Sequence, residues 1–293
     1  MRFQVVLSLA FVSWLMGCAA GAKDALPEME TICELQDARI NESSGLAASR
    51  KYSRQKLLIT HNDSGGEAKL FYVNLQGFTV AEVSLKNATN IDWEDIAIAG
   101  DFIYVGDIGD NLRKRESITI YRLSEPEFNP NKTGQNLEVV CEKMTLKYPD
   151  APCDAETLLA SANAEIILVS KNGGASRFYN TPQLFENNST QTLELAGKYA
   201  FKGESARSYL TTGGDLDPAQ HRFVVRTYTH AYEWTFMPHR AWQTVFETTP
   251  RIWQLPTTKQ GEAICYAADG QAYFVSSEGA PAPIWKIEFT PNK

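Results

Sequence analysis

Histidine is scarce in this chain, with His61, His221, His230 and His239 the only four among 293 residues. No HExxH pair, GxSxG elbow or P-loop occurs, which sets aside zinc peptidases, elbow esterases and P-loop NTPases. Cations are outnumbered, 28 Lys and Arg against 35 Asp and Glu, for a formal net charge of −7. A protein that neutralises nucleic-acid phosphates needs clustered Lys and Arg, so nucleic acid is not an expected partner. Cysteine is rare as well, five in all and never as CxxC, which argues against a zinc ribbon or a thioredoxin-like site. The hydrophobic fraction of 43% and charged fraction of 22% exclude a disordered chain.

The N-terminus carries the one long apolar run. Arg2 is the only charge in residues 1–18. The run of about a dozen apolar residues after it has the pattern of an export signal and is too short for an ordinary membrane span. It ends in Leu15-Met16-Gly17-Cys18, which resembles a bacterial lipobox. The resemblance implies a signal peptide over residues 1–17, a lipid on Cys18, and a tether over 18–24. With no Asp directly after Cys18, it further implies the outer membrane of the cell envelope, with the anchor as the only membrane contact. The alternative is a secretory signal cut after Ala19 or Ala20. In an oxidising compartment the remaining four cysteines allow three pairings. Cys141 and Cys153 flank a proline-containing loop and are the expected bridge, which leaves Cys33 for Cys265. Buried free thiols are the alternative.

An internal repeat organises the rest. Segments starting at Glu42, Glu94, Glu156, Thr211 and Glu262 each read as a short apolar strand, a turn, and a β-branched or aromatic strand ending in polar residues. A third strand follows each: KLFYVNL, SITIYRL, SRFYN, AYEWTF and PIWKIEF. The starts lie 52, 62, 55 and 51 residues apart, the length of a four-stranded propeller blade. The last start leaves 32 residues, and residues 22–41 supply the missing outer strand around Thr31-Ile-Cys-Glu-Leu-Gln. The expected fold is therefore an all-β, five-bladed β-propeller with four-stranded antiparallel blades, spanning residues 25–293 as a single domain and closed by its N-terminal strand. Asn129–Gln135 reads as an insertion loop, and a short helix is expected near Met237–Phe246.

Inner-strand starts converge at one mouth of a propeller channel. The repeat register puts Glu42, Glu94, Glu156, Thr211 (or Thr212) and Glu262 there. Clustered carboxylates repel, and a hard cation relieves the conflict. Calcium, which accepts six to eight oxygens of mixed kind, suits such a ring better than magnesium. The plain alternative is that each Glu bonds the backbone of a neighbouring blade. The second-strand ends form another ring at the same mouth. Asn62, Asp107, Asn111, Arg115, Lys171, Arg226 and Tyr228 are its candidate ligand-binding residues, and Asp63 and Asp110 its candidate bases. Cations set among acids there suit an anionic group such as phosphate or carboxylate. Blade-to-blade salt bridges and Asx turns account for the same residues one by one. Trp93, Trp234, Trp253 and Trp285 read as wedges between blades.

Two resemblances follow from these motifs. Glu42-Ser-Ser-Gly-Leu, His61-Asn-Asp-Ser-Gly, Asp92-Trp-Glu-Asp-Ile-Ala, Gly106-Asp-Ile-Gly-Asp-Asn and Asp154-Ala-Glu resemble a group of exported bacterial propellers. The inner-strand acids resemble, more distantly, those of calcium-activated nucleotidases of the apyrase type. That resemblance implies a central calcium held by Glu94, Glu156, Glu262, a hydroxyl at Thr211 or Thr212, and Glu42. Two functions remain as expectations. One is a calcium-dependent hydrolase of phosphate-bearing small molecules; the other is a non-catalytic propeller that docks an envelope protein or glycan. The chain is expected to be a monomer.

Overall fold

The computed structural model describes residues 28–237 and 242–289. The expected signal peptide, the tether, Cys18 and His239 lie outside the described residues. Most strands below arise from runs rich in β-branched, aromatic or small residues, bounded by turn-forming Gly, Asn, Asp and Pro.

Strand β1 (Glu28–Glu34) precedes the first blade, which is built from β2 (Ser43–Ala48), β3 (Leu58–Asn62), β4 (Lys69–Val73) and β5 (Thr79–Leu85). The second holds β6 (Trp93–Ala99), β7 (Phe102–Asp107) and β8 (Ile118–Ser124), and, after β9 (Gln135–Val139) has paired with the first blade, β10 (Glu142–Lys147). The third holds β11 (Ala155–Ala160), β12 (Ile166–Ser170), β13 (Ser176–Asn180) and, after β14 (Thr190–Thr192) has paired with the second blade, β15 (Glu194–Tyr199). The fourth holds β16 (Thr211–Leu216), β17 (Arg222–Thr227), β18 (His230–Thr235) and β19 (Arg251–Gln254). The fifth has only β20 (Ile264–Tyr266), β21 (Ala272–Ser276) and β22 (Pro283–Glu288) from the C-terminal part. β1 completes it, running antiparallel to β22 from Glu28 opposite Glu288 to Glu34 opposite Pro283. The ring closure expected from the repeat is thus present. A four-residue helix at Trp242–Val245 falls within the expected stretch.

The first and second blades have five strands each, one more than expected. After β8 the chain crosses to the first blade, where β9 runs parallel to β5, and then returns as β10. Likewise β14 leaves the third blade to lie parallel to β10 of the second. Each crossing covers an outer edge that would otherwise expose unpaired backbone groups. The residues read as an insertion loop are the crossing itself.

The core is five interfaces between neighbouring blades, with no single centre. Trp93 and Tyr72 fill the first-to-second interface, Tyr104, Met144 and Leu168 the second-to-third, and Trp234, Phe178 and Phe223 the third-to-fourth. Tyr266, Tyr273 and Val224 fill the fourth-to-fifth, and Leu46, Phe71 and Phe274 the seam where the ends meet. The wedge role expected of Trp93 and Trp234 holds, since both are fully buried, while Trp253 and Trp285 are only partly so. Inner strands are buried along their whole length and use small residues where they crowd the axis. A Cβ on Gly213 would sit 2.7 Å from the Glu262 carbonyl, so only glycine lets β16 approach there.

The expected Cys141–Cys153 bridge is absent: Cys33, Cys141, Cys153 and Cys265 are all free thiols. Cys141 and Cys153 belong to different blade interfaces, which keeps the two side chains apart. The Cys141 thiol donates to Asn87 Oδ1 at 3.2 Å instead. Among the described residues no helix is long and apolar enough to cross a membrane.

Candidate metal centre

Each of the first four inner strands carries a register shift at the same end, between Ser43 and Leu46, Trp93 and Asp95, Ala155 and Thr157, and Thr211 and Gly213. A bulge inserts one unpaired residue and re-aims its side chain. The residues so placed are Ser44, Glu94, Glu156 and Thr212. In the fifth blade Glu262 occupies the equivalent position, just before Ala263, whose carbonyl accepts the Ser276 N–H at 3.0 Å. The ring at the mouth is therefore three glutamates and two hydroxyls.

Two expected members are displaced. Glu42 is exposed, two residues ahead of the bulge; its N–H donates to Asn62 Oδ1 at 3.2 Å and its carbonyl accepts the Asp63 N–H at 3.0 Å. Thr211 is paired with Thr227 in the ladder, and its hydroxyl donates to the Ser170 carbonyl at 3.2 Å. Ser44 and Thr212 take their places. Ser44 Oγ donates to the Glu94 carbonyl at 2.7 Å, and Thr212 Oγ1 to the Gly261 carbonyl at 3.0 Å. The repeats were offset because a bulge residue has no partner in the alternating pattern.

Glu94 is the centre of the acid cluster. It is only 4% exposed, yet its carboxylate takes part in no hydrogen bond or ion pair among the described residues. One carboxylate oxygen each from Asp63, Asp92 and Glu94 lie within 4.8 Å of one another, and so do oxygens from Glu94, Asp154 and Glu156. Burial pushes the Glu94 carboxyl well above its ordinary range, and Glu156, Asp63 and Asp92 add to the push. Burial, with Asp92 next, raises Asp63 to about 7. Asp63 Oδ1 is buried without a partner among the described residues. The backbone also accommodates the cluster: a Cβ at Gly109 would lie 2.1 Å from Glu94 Oε1 and 2.5 Å from Asp92 Oδ2. Asp92 and Asp154 entered the sequence reading only within motifs and not as site residues, although both stand two residues before a ring glutamate, as Asp92-Trp-Glu and Asp154-Ala-Glu.

One cation is built in. Lys171 Nζ sits 2.8 Å from Glu156 Oε1. Burial pushes the Glu156 carboxyl up, and the ammonium pulls it back. Burial works against the Lys171 charge, but Glu156, Tyr228 and Glu262 outweigh it and hold the ammonium protonated. The Tyr228 ring lies 5.5 Å from Lys171 Nζ and 4.6 Å from the Arg207 guanidinium, whose Nη2 donates to the Thr258 and Lys259 carbonyls. Arg207 was missed because it lies in a connecting segment, Ala206–Tyr209, with no repeat counterpart.

The other expected residues divide. Arg115 Nη1 donates to Asp107 Oδ1 at 2.9 Å and to the Gly109 carbonyl at 2.8 Å, bracing the turn beneath Glu94. Asp107 Oδ1 also accepts the Asp92 N–H, and its Oδ2 is buried without a partner. Asp110 accepts the Arg115 N–H at 2.8 Å while its own N–H donates to Asp154 Oδ1 at 2.9 Å, the work of a turn residue. Asn62 is engaged by Glu42 and Arg39, and Asn111 is exposed. Arg226, 1% exposed, gives Nη1 to the Ala263 and Ser276 carbonyls at 2.7 and 3.2 Å, so it ties the fourth blade to the fifth. Burial lowers its pKa to about 10. His61 packs edge-on against Trp93 and is held near 4 by burial.

Below the mouth, two further acids plug the channel. Asp95 accepts from the N–H of Ile96, of Leu158 in the third blade and of Gly214 in the fourth. Asp215 accepts from the Leu216 and Tyr266 N–H groups. These bonds satisfy inner-strand edges that have no further strand to pair with.

The donor set is all oxygen, and its span suits a hard cation. Oxygens 4.8 Å apart or closer can share an ion bound at roughly 2.3–2.6 Å, the range of calcium. No family model matches the sequence, and no curated protein matches it. Among solved structures, a luciferin-regenerating enzyme aligns over 90% of this chain and 96% of its own, with a TM-score of 0.50 and 9% identity. That likeness is one of propeller fold.

Proposed function

We propose that the protein binds a calcium ion at the channel mouth and, beside it, a small anionic ligand. The carrying observation is Glu94: a buried carboxylate, common to both acid triads, with no hydrogen bond or ion pair among the described residues. Asp63, Asp92 and Glu94 are the ligands of choice, because Lys171 already answers the charge of Glu156. Bound calcium supplies a second positive centre to polarise an anionic group. Lys171 and Tyr228 provide the flanking polar surface. The export signal read at residues 1–17 puts this binding in the cell envelope, with Cys18 as the lipid-bearing residue.

The test is elemental analysis of the purified protein, paired with melting curves in chelator and in calcium. One calcium per chain, lost together with a large fall in Tm, supports the reading. No metal, and a Tm indifferent to calcium, overturns it.

A hydrolytic role is favoured by one observation, the buried Asp63 Oδ1, which has no hydrogen-bond partner among the described residues and could orient water beside a bound ion. Phosphate release from a panel of phosphate-bearing small molecules in calcium would establish it. No release leaves binding alone.

A further inference from the structure

At the opposite end of the inner strands, the seam between the fifth and first blades encloses a cavity of about 370 Å³. Pockets of this size with an apolar floor and a few polar groups are the usual form of small-molecule sites. Ile32, Leu57, Leu58, Leu75 and Phe274 form the floor, and Ser53 and Lys56 stand on the rim. The rim belongs to the β2–β3 hairpin, where Arg50-Lys-Tyr-Ser-Arg-Gln-Lys56 holds four cations and no acid. Lys51 is engaged by Glu127 at 3.1 Å, and Arg50 reaches the Ala268 carbonyl at 3.4 Å. Lys56 makes no ion pair among the described residues and holds a left-handed backbone, φ 53°, at the cavity edge. Lys286, also on the rim, is engaged by Glu288. Glu30 and Asp269 stand on the lining as well and oppose an anion, which leaves Lys56, without an ion pair among the described residues, as the cation to hold it.

We propose that this cavity binds a small amphipathic anion, a medium-length alkyl or aryl carboxylate. The apolar body lies on the Leu57–Leu58–Phe274 floor and the carboxylate meets Lys56. The site is independent of the calcium centre. Because the cavity is walled by both chain ends, by β1 and β22 as well as the β2–β3 hairpin, an occupant would also strengthen the ring closure.

Calorimetric titration of the full chain with decanoate tests this, with butyrate and decanol as controls. One saturable site is expected, at least tenfold weaker for decanol and for butyrate. Lys56→Glu should weaken decanoate at least tenfold, Ala268→Trp should fill the cavity and abolish binding, and Glu94→Gln should leave it unchanged. Lys56→Glu alters an exposed side chain, so its effect is readable even if Ala268→Trp disturbs folding. Absence of saturable binding, equal binding of decanol, or decanoate affinity indifferent to Lys56→Glu would overturn the proposal.

Discussion

The Asp95 carboxylate in the second blade accepts a hydrogen bond from the Gly214 N–H in the fourth blade, 3.1 Å away across the channel. The same oxygen accepts the Leu158 N–H of the third blade at 2.9 Å. One side chain thus pins three inner strands. Asp95→Ala orphans both of these donors and the Ile96 N–H as well, each at a cost of roughly 1–3 kcal/mol. Urea unfolding should show a loss of that order per donor, and Asp95→Asn, which keeps an acceptor oxygen, should lose less. A loss below 1 kcal/mol for Asp95→Ala would mean that water replaces the pin.

Glu94→Gln separates repulsion from metal binding. In chelator the variant should be as stable as the parent or more so, because a buried repelling charge is gone. In calcium it should lack the parent's gain, which is about 2.7 kcal/mol at a hundredfold excess over Kd. Differential scanning calorimetry with and without calcium reads both effects.

Gly109→Ala addresses the same centre from the backbone. The added methyl would lie 2.1 Å from Glu94 Oε1 and 2.5 Å from Asp92 Oδ2, so the carboxylates must move. Calcium affinity should fall at least tenfold, about 1.4 kcal/mol, with the far-ultraviolet circular dichroism of the propeller retained. Unchanged affinity in a calcium titration would separate Asp92 from the metal centre.

Removing one partner of the Lys171–Glu156 pair leaves the other charge buried. Lys171→Met should destabilise by about 3–5 kcal/mol, and adding Glu156→Gln should recover much of that. A double-mutant cycle in urea measures the coupling. Additive losses would show that the two do not act as a pair.

Metal-free stability should depend on pH in a defined direction. Burial raises the carboxyls of Asp63 and Asp215 to about 7 in the folded state, well above their unfolded values. Between about pH 4 and 7 the folded chain therefore holds more protons than the unfolded one, and stability falls as pH rises, by up to about 1.4 kcal/mol per pH unit for each group. Calcium should flatten the Asp63 part, since a ligand carboxylate binds deprotonated. Urea unfolding at pH 5, 6, 7 and 8, with and without calcium, checks the slope. A rising slope without metal would contradict it.

Blade number and ring closure were legible in the amino-acid sequence because strand patterning and turn residues are local and repeat every 51 to 62 residues. Glu94, Glu156 and Glu262 were legible for the same reason. Ser44 in place of Glu42, and the choice of Thr212 over Thr211, were not, because a bulge breaks the two-residue period and only pairing with the neighbouring strand reveals it. The expected Cys141–Cys153 bridge failed on similar ground: nearness along the chain says nothing of which blade interface a side chain enters. The crossing strands β9 and β14, the Asp95 pin and the Lys171–Glu156 pair inside the acid ring were likewise decided by tertiary structure alone. Each joins residues that meet only after the five blades close on one another, and the burial that sets their charges exists only in that closed ring.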